Sequence, residues 1–315
     1  MRTQRLMAPL VLVVISVFVS SRIVVDAQTQ KPTTPWGDPD LQGVWSNQTP
    51  VTFERIPPLA GKAVFTREEA AKFERTTLQR LLDPSGPLGS DLPLSGEDNE
   101  IWLEAQHGKV PPNRNTSLVV DPPNGRIPYT PEGRKRWDAV PSLERTLAAN
   151  RPEDRTVAER CITTGGLIDP NPFYNNNHLI VQSPGHVVIV TEMMHEHRII
   201  PLDRRPRLGA NIRQWLGDSR GRWEGQTLVV ETTNFNDQRL FRGATRDMHL
   251  LERFTRLDAD TILYRATVTD AGTFARPWTI ENGLRKSSDL YEVACHEGNY
   301  GLANMLSAAR AEEKR

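Results

Sequence analysis

The sequence has little cysteine and no excess of either charge. Two cysteines occur among 315 residues, and 39 basic residues balance 39 acidic ones. This balance argues against nucleic acid and anionic membrane surfaces as partners. A Gly-x-Ser-x-Gly elbow, a phosphate-binding loop and a dinucleotide fingerprint are also missing. Serine hydrolases, nucleotide-dependent enzymes and dehydrogenases of the dinucleotide-binding type are therefore poor candidates.

Long apolar runs are absent except near the amino terminus. The apolar run Leu6–Val19 follows Arg2 and Arg5, and the small residue Ala27 offers a cleavage position. The run falls short of the roughly 20 residues that a membrane-spanning helix needs. We therefore predict a signal peptide over residues 1–27, a periplasmic or secreted mature protein, and no integral membrane association after cleavage.

Export would place both cysteines in an oxidising environment. Cys161 and Cys295 are then expected to form one disulfide. The alternative, a catalytic thiol, is less favoured because an exported free thiol has no reducing partner.

Proline divides the chain into two parts. Residues Pro32 to Pro172 contain 19 of the 24 prolines, which favours extended segments that wrap another body. We predict a Pro-rich wrapping region over residues 28–172, an antiparallel barrel over 173–301 and a C-terminal helix over 302–315. Inside the wrapping region, Thr66–Leu82 is expected to be the one helix, begun by a capping box.

After residue 177 the sequence alternates between apolar and polar residues. Short connections between several such segments favour a mainly β fold with a few peripheral helices. The predicted architecture is an antiparallel lipocalin-like barrel, with a β-sandwich as the alternative. The predicted strands are Leu179–Gln182, His186–Ile200, Thr227–Asn234, Met248–Thr255, Thr261–Thr269 and Leu290–His296.

Two histidines provide the first candidate site. In a continuous strand over His186–Ile200, His195 and His197 would share one largely apolar face and point inward. The opposite face, with Glu196 and Arg198, is expected to be solvated or salt-bridged unless a bulge reverses the register.

The chemistry of such a pair stays open at this point. His195 and His197 could supply two ligands to a divalent metal, with a third ligand from elsewhere, so a metal is one possible cofactor. They could also act as acid and base without a metal, or be structural.

A second candidate lies on the strand near residue 250. Alternation places Glu252 between apolar neighbours and puts His249 and Arg253 on the other face. An inward carboxylate is either an acid or base, or the partner of an arginine on an adjacent strand, and the ion pair is favoured because an unpaired buried carboxylate is costly.

Other side chains are candidates for ligand contact. His178 follows an asparagine run and His296 follows Cys295, although a turn or cap role is the simpler interpretation of both. Aromatic side chains could line an apolar cavity, although most such residues form core. These candidates are Trp215, Trp223, Trp278, Tyr264, Phe235, Phe241, Phe254 and Phe274.

The segment Gly217–Phe235 resembles a family of exported bacterial proteins of unassigned function. The strings Trp36–Trp45 and Glu252–Arg256 are similar to the same family, while Gln226 stands where the pattern would have Asp. The pattern is G-D-S-R-G-R-W-E-G-x-T-L-V-V-E-T-T-N-F. The resemblance implies export and a lipocalin-like, β-rich body, and it carries no activity.

We predict an exported enzyme, a lyase, isomerase or hydrolase, that acts on a small hydrophobic, aromatic or glycosidic metabolite. His195 or His197 would move the proton, and Arg198 or Arg253 would stabilise negative charge if the register places it inward. A noncatalytic carrier of a hydrophobic ligand and an envelope interaction protein are the alternatives.

Overall fold

The computed structural model describes residues 32–82, 108–139, 149–165, 168, 175–236 and 241–314. The predicted signal peptide lies outside these ranges. Residues 31–315 belong to one compact unit. Within the described residues, no helix has both the length and the apolar character needed to cross a membrane.

The described part of the chain is mainly β, as predicted, and its strands form one antiparallel sheet of ten strands. The spatial order is β5-β4-β3-β1-β10-β9-β8-β7-β6, with β2 also paired to β10. The strands are β1 Gly43–Ser46, β2 Val119–Asp121, β3 Asn177–Ser183, β4 His186–Thr191, β5 His197–Pro201, β6 Asp218–Glu224, β7 Thr227–Thr233, β8 His249–Arg256, β9 Thr261–Thr269 and β10 Trp278–Ser287.

The sheet curls until its two edge strands, β5 and β6, meet through side chains. No ladder of hydrogen bonds joins them among the described residues. A Cβ atom at Gly221 of β6 would lie 2.8 Å from Ile200 of β5 and 2.6 Å from Leu202. Glycine therefore allows this close approach, and the sheet encloses an interior without a continuous hydrogen-bonded wall.

The Pro-rich region forms part of the sheet as well as wrapping it. Strand β1 lies between β3 and β10, so the predicted boundary at residue 172 does not separate the sheet from the rest of the chain. Asn113 and Asn115 each donate a hydrogen bond of 2.7 Å to Glu281 of β10. These contacts explain why β10 is buried on both faces over most of its length.

Three helices flank the sheet: α1 Arg67–Leu82, α2 Pro131–Asp138 and α3 Tyr300–Glu312. The capping box of α1 is present, because the Thr66 hydroxyl accepts from the Glu69 amide and the Glu69 carboxylate accepts from the Thr66 amide. The predicted helices α1 and α3 are confirmed, whereas α2 had not been predicted.

Several strand assignments need correction. Asp218–Glu224 was not among the predicted strands and is strand β6, which Gly225 and Gln226 join to β7 in a tight turn. Strand β10 was missed, since burial of both faces removes the alternation that marks a half-exposed strand. Leu290–His296 was predicted as a strand but is irregular.

This irregular segment is tied down by two contacts. The predicted disulfide between Cys161 and Cys295 is present. The Tyr291 amide donates a hydrogen bond of 2.8 Å to the buried carboxylate of Glu192. The segment is therefore held to the body of the protein without pairing in the sheet.

Candidate functional site

The interior of the curled sheet contains a cavity of about 320 Å³. Its walls come from the β4–β5 hairpin, from β8 and from irregular segments near residues 156–165, 215 and 241. Most of the lining is apolar. The apolar lining residues are Trp137, Val157, Ala158, Ile168, Ile189, Trp215, Leu216, Phe235, Phe241, Met248 and Leu250.

A tight turn sets which side chains of β5 face this cavity. Glu192 through His195 connect β4 to β5, with Met194 and His195 at positive φ, and the Thr191 amide donates to the Glu196 carbonyl at 2.7 Å. Because the turn contains an even number of residues, odd-numbered residues point inward before it and even-numbered residues after it.

The histidine prediction is therefore wrong in its geometry. His195 and His197 are exposed, and His195 lies 3.9 Å from Glu292 at the surface. Of the residues expected on the solvated face, Glu196 is buried and Arg198 is half-buried, and both line the cavity instead. The two histidines are not a pair of inward ligands or bases, because the strand that would have aligned them is interrupted.

Arg198 forms a bidentate ion pair with Glu252 across the interior. Its Nη1 and Nη2 atoms lie 2.7 and 3.1 Å from the two carboxylate oxygens. The Tyr264 hydroxyl donates to Oε1 of Glu252 at 2.8 Å. Glu252 points inward as predicted, and its ion pair to an arginine is confirmed. The arginine was expected on an adjacent strand, but Arg198 lies on β5, which does not neighbour β8 in the sheet.

Burial acts in opposite directions on the pKa values of the two partners of Glu252, while the charge of Glu252 raises both. Burial raises the pKa of Tyr264 well above its ordinary value, and the Glu252 carboxylate adds to the rise. Burial alone would lower the pKa of Arg198, but the charge of Glu252 and its hydrogen bond raise it. Tyr264 is consequently a neutral donor and Arg198 a cation at any ordinary pH.

Glu196 is the other acid of the cavity, and it is 7% exposed. Its Oε1 atom accepts a hydrogen bond of 2.8 Å from the Thr164 amide. Its Oε2 atom has no hydrogen-bond partner among the described residues. Burial raises the pKa of Glu196, against the opposing effects of Thr163, Thr164 and Arg198.

His178 lies on β3 behind the cavity lining. It is 2% exposed, and its Nδ1 atom is 3.2 Å from the Thr191 hydroxyl. Burial lowers the pKa of His178 to about 3, with a further contribution from the charge of Arg198. His178 is therefore neutral at physiological pH and supports the hairpin rather than the cavity surface.

Three predicted catalytic or ligand-binding residues lie on the outside. Arg253 faces outward on β8 and is paired at 2.6 Å with Glu224. His249 is half-buried on the same outer face, and His296 is exposed near the disulfide. Alternation along β8 accounts for the first two, because Glu252 occupies the inward position between them.

Two predicted aromatic contacts also lie outside the cavity. Trp278 is fully buried in an aromatic cluster with Phe53, Phe241 and Phe274, at centroid distances of 5.4–6.0 Å. Trp223 packs against the core from β6 and is not among the lining residues. Both tryptophans therefore have a structural role.

The rest of the cavity wall was not predicted from the sequence. Residues 156–165 carry several lining side chains, and the Cys161–Cys295 disulfide anchors this wall segment. Arg242 also lines the cavity, with its guanidinium carbon 3.9 Å from the centre of the Phe53 ring. Two predictions concerned this wall: the Cys161–Cys295 disulfide and the assignment of Trp215 as a candidate cavity residue.

The described residues bring no three His, Cys, Asp or Glu side chains together in a way that could hold a metal ion. The two-histidine metal centre therefore lacks both its inward orientation and a third ligand within this part of the chain.

Comparisons with known proteins give little further guidance. No family model and no curated protein matches the sequence. A crystal structure of a secretary abundant heat soluble (SAHS) protein from Ramazzottius varieornatus matches at 13% identity and a TM-score of 0.24, over 35% of this chain and 70% of that chain. A score of this size does not support an argument about function, which must come from the cavity.

Proposed function

We propose that the protein is an exported binding protein for a small, mainly apolar molecule that carries a polar group. The cavity supports this proposal most directly. Its volume of about 320 Å³ and its apolar walls are typical of small-ligand sites. The lining also contains four threonines and the charged residues Glu196, Arg198, Arg242 and Glu252, which can contact a polar group of the ligand.

The test is binding of an uncharged fluorescent probe. N-phenyl-1-naphthylamine should increase its emission and bind in a 1:1 ratio when it enters the cavity. Val157→Trp places a large ring in the cavity and should abolish this binding. Val181→Trp, at an exposed position on β3, is the matched control and should bind as the wild type does.

Two results would reject the proposal. One is the absence of saturable binding to the wild type. The other is an equal loss in Val157→Trp and Val181→Trp while both variants remain folded, as judged by their near-ultraviolet circular dichroism.

Acid/base catalysis in the same cavity is the second candidate function. The raised pKa of Glu196, caused by burial, and its unpartnered oxygen favour a proton-transfer role for this carboxyl. Glu196 then takes the role first expected of His195 or His197.

This candidate is tested with a panel of aryl esters and 4-nitrophenyl glycosides. Glu196→Gln should abolish any turnover while it keeps binding of N-phenyl-1-naphthylamine. His197→Gln, an exposed control, should leave turnover unchanged. Turnover that survives Glu196→Gln would remove the assignment.

An envelope interaction module formed by the Pro-rich half has less support. Strand β1 and the contacts of Asn113 and Asn115 make that half part of the sheet's own structure. Its removal is expected to expose core surface instead of releasing an independent module.

A further inference from the structure

Glu196 in the cavity lining has a carboxylate oxygen, Oε2, that no described residue hydrogen-bonds. Oε1 accepts from Thr164, while Oε2 is buried with no hydrogen-bond partner among the described residues. A buried polar atom without a hydrogen bond costs free energy. In a native protein such an atom therefore needs an explanation, such as a catalytic role or a bound water, ion or ligand. A ligand group that hydrogen-bonds to Oε2 would remove this cost.

The cations that line the cavity already have partners. Arg198 uses two of its nitrogen atoms on Glu252, and Tyr264 donates to the same carboxylate. Arg242 packs its guanidinium against the ring of Phe53. An entering carboxylate would find these cations engaged and would meet a second acid, Glu196, in the lining.

A hydroxyl group fits this environment better than an anion does. It can donate a hydrogen bond to an ionised carboxyl and accept a hydrogen bond from a neutral one, so it satisfies Glu196 in either state. The apolar walls, which include Trp215 and Phe235, would contact the remainder of the molecule.

We propose that the cavity selects uncharged alcohols or phenols with an apolar body, and that their hydroxyl group hydrogen-bonds to Oε2 of Glu196. This inference rests on the proposed binding function and specifies its ligand class. It makes Glu196 the residue that determines specificity, and it excludes fatty-acid-like anions as preferred ligands.

Three naphthalenes of similar shape test the inference by equilibrium dialysis at pH 7. 2-Naphthol carries the hydroxyl, 2-methylnaphthalene replaces it with a methyl group, and 2-naphthoate carries an anion. One added hydrogen bond should make 2-naphthol bind about 10-fold more tightly than 2-methylnaphthalene. 2-Naphthoate should bind more weakly than both.

The assignment to Glu196 is tested with Glu196→Leu, in which the preference for 2-naphthol over 2-methylnaphthalene should disappear. His197→Leu, at the exposed neighbouring position, is the matched control and should keep the preference. A preference that persists in Glu196→Leu would overturn the assignment.

The wild type alone can overturn the ligand class. Equal affinity for 2-naphthol and 2-methylnaphthalene, or tightest binding of 2-naphthoate, would reject it while leaving the binding function in place. This measurement uses only the wild type, so it tests the ligand class even if Glu196→Leu does not fold. If none of the three compounds binds, and N-phenyl-1-naphthylamine does not bind either, the binding function itself fails.

Discussion

The protein carries two groups of arginines and acids that differ in where they lie. The inner cluster, Glu196, Arg198, Glu252 and Tyr264, is inside the curled sheet. The outer network lies on the solvent face of strands β6 to β8 and the preceding loop. Its members are Arg207, Arg222, Glu224, Glu231 and Arg253.

The same residue types have different consequences in the two places. Outer side chains such as Arg253 and Glu224 are 41% and 40% exposed, so water screens their attraction. In the inner cluster the side chains of Arg198 and Glu252 are 14% and 1% exposed. Their desolvation is costly, and a cavity bordered by such a cluster is better explained by ligand binding than by stability.

The largest expected difference comes from removing one arginine in each group. Arg198→Met leaves the Glu252 carboxylate buried without its cation and should lower the free energy of unfolding by about 3–5 kcal/mol. Arg253→Met removes an exposed partner of Glu224 and should cost about 0–1 kcal/mol. Urea unfolding of both variants checks this. Equal losses would show that burial does not separate the two groups.

Removing the inner charges together should recover most of that loss. In the triple variant Arg198→Met, Glu252→Leu, Tyr264→Phe, the ion pair and the hydroxyl that donates to it are removed together, so none of the three leaves a partner behind. We expect it to unfold at a urea concentration close to or above that of the wild type, because apolar replacement of a buried ion pair is often neutral or stabilising. A triple variant as unstable as Arg198→Met would mean that the network itself holds the fold together.

Acid should weaken the inner region through His178. Its pKa is about 3 in the folded protein, against 6.5 for an ordinary histidine, because the ring is buried. Between these pH values the unfolded chain binds a proton that the folded protein does not. His178 therefore reduces stability as the pH falls from 6.5, by at most about 1.4 kcal/mol per pH unit.

The measurement is the pH dependence of urea unfolding between pH 7 and pH 4. His178→Gln should lose less stability than the wild type over this range. His197→Gln, which removes an exposed histidine of the outer face, should follow the wild type. Identical slopes in all three proteins would contradict the burial of His178.

The smallest effect is expected from the outer network. Arg222→Ala breaks contacts of 2.9 Å to Glu224 and 2.8 Å to Glu231 in an exposed setting. The loss should be about 0–1 kcal/mol and should shrink further in 1 M salt, where screening acts within about 3 Å. A loss in Arg222→Ala that does not change with salt would indicate that packing, and not charge, is the contribution of this side chain.

The β class, the helix with the Thr66 capping box and the inward position of Glu252 could be predicted because each has a local signature. Alternation along β8 is uninterrupted, so the face of each residue follows from its neighbours. The disulfide followed from having only Cys161 and Cys295 in a chain predicted to be exported.

The faces of β5 could not be predicted in the same way. The turn before it uses positive φ at Met194 and His195, which are not residues that usually mark a tight turn. Because the prediction did not include this turn, it assigned the residues of β5 to the wrong faces. It placed Glu196 outside and His197 inside. The cavity wall at residues 156–165 is irregular and comes from a distant part of the chain, so no periodicity could reveal it.

A crystal structure of the complex with 2-naphthol tests the central claim most directly. The account predicts the naphthalene ring inside the cavity, against Trp215 and Leu250, with its hydroxyl oxygen about 2.7 Å from Oε2 of Glu196. Naphthol bound only on the outer face of the sheet, or seated in the cavity with its hydroxyl directed away from Glu196, would contradict it.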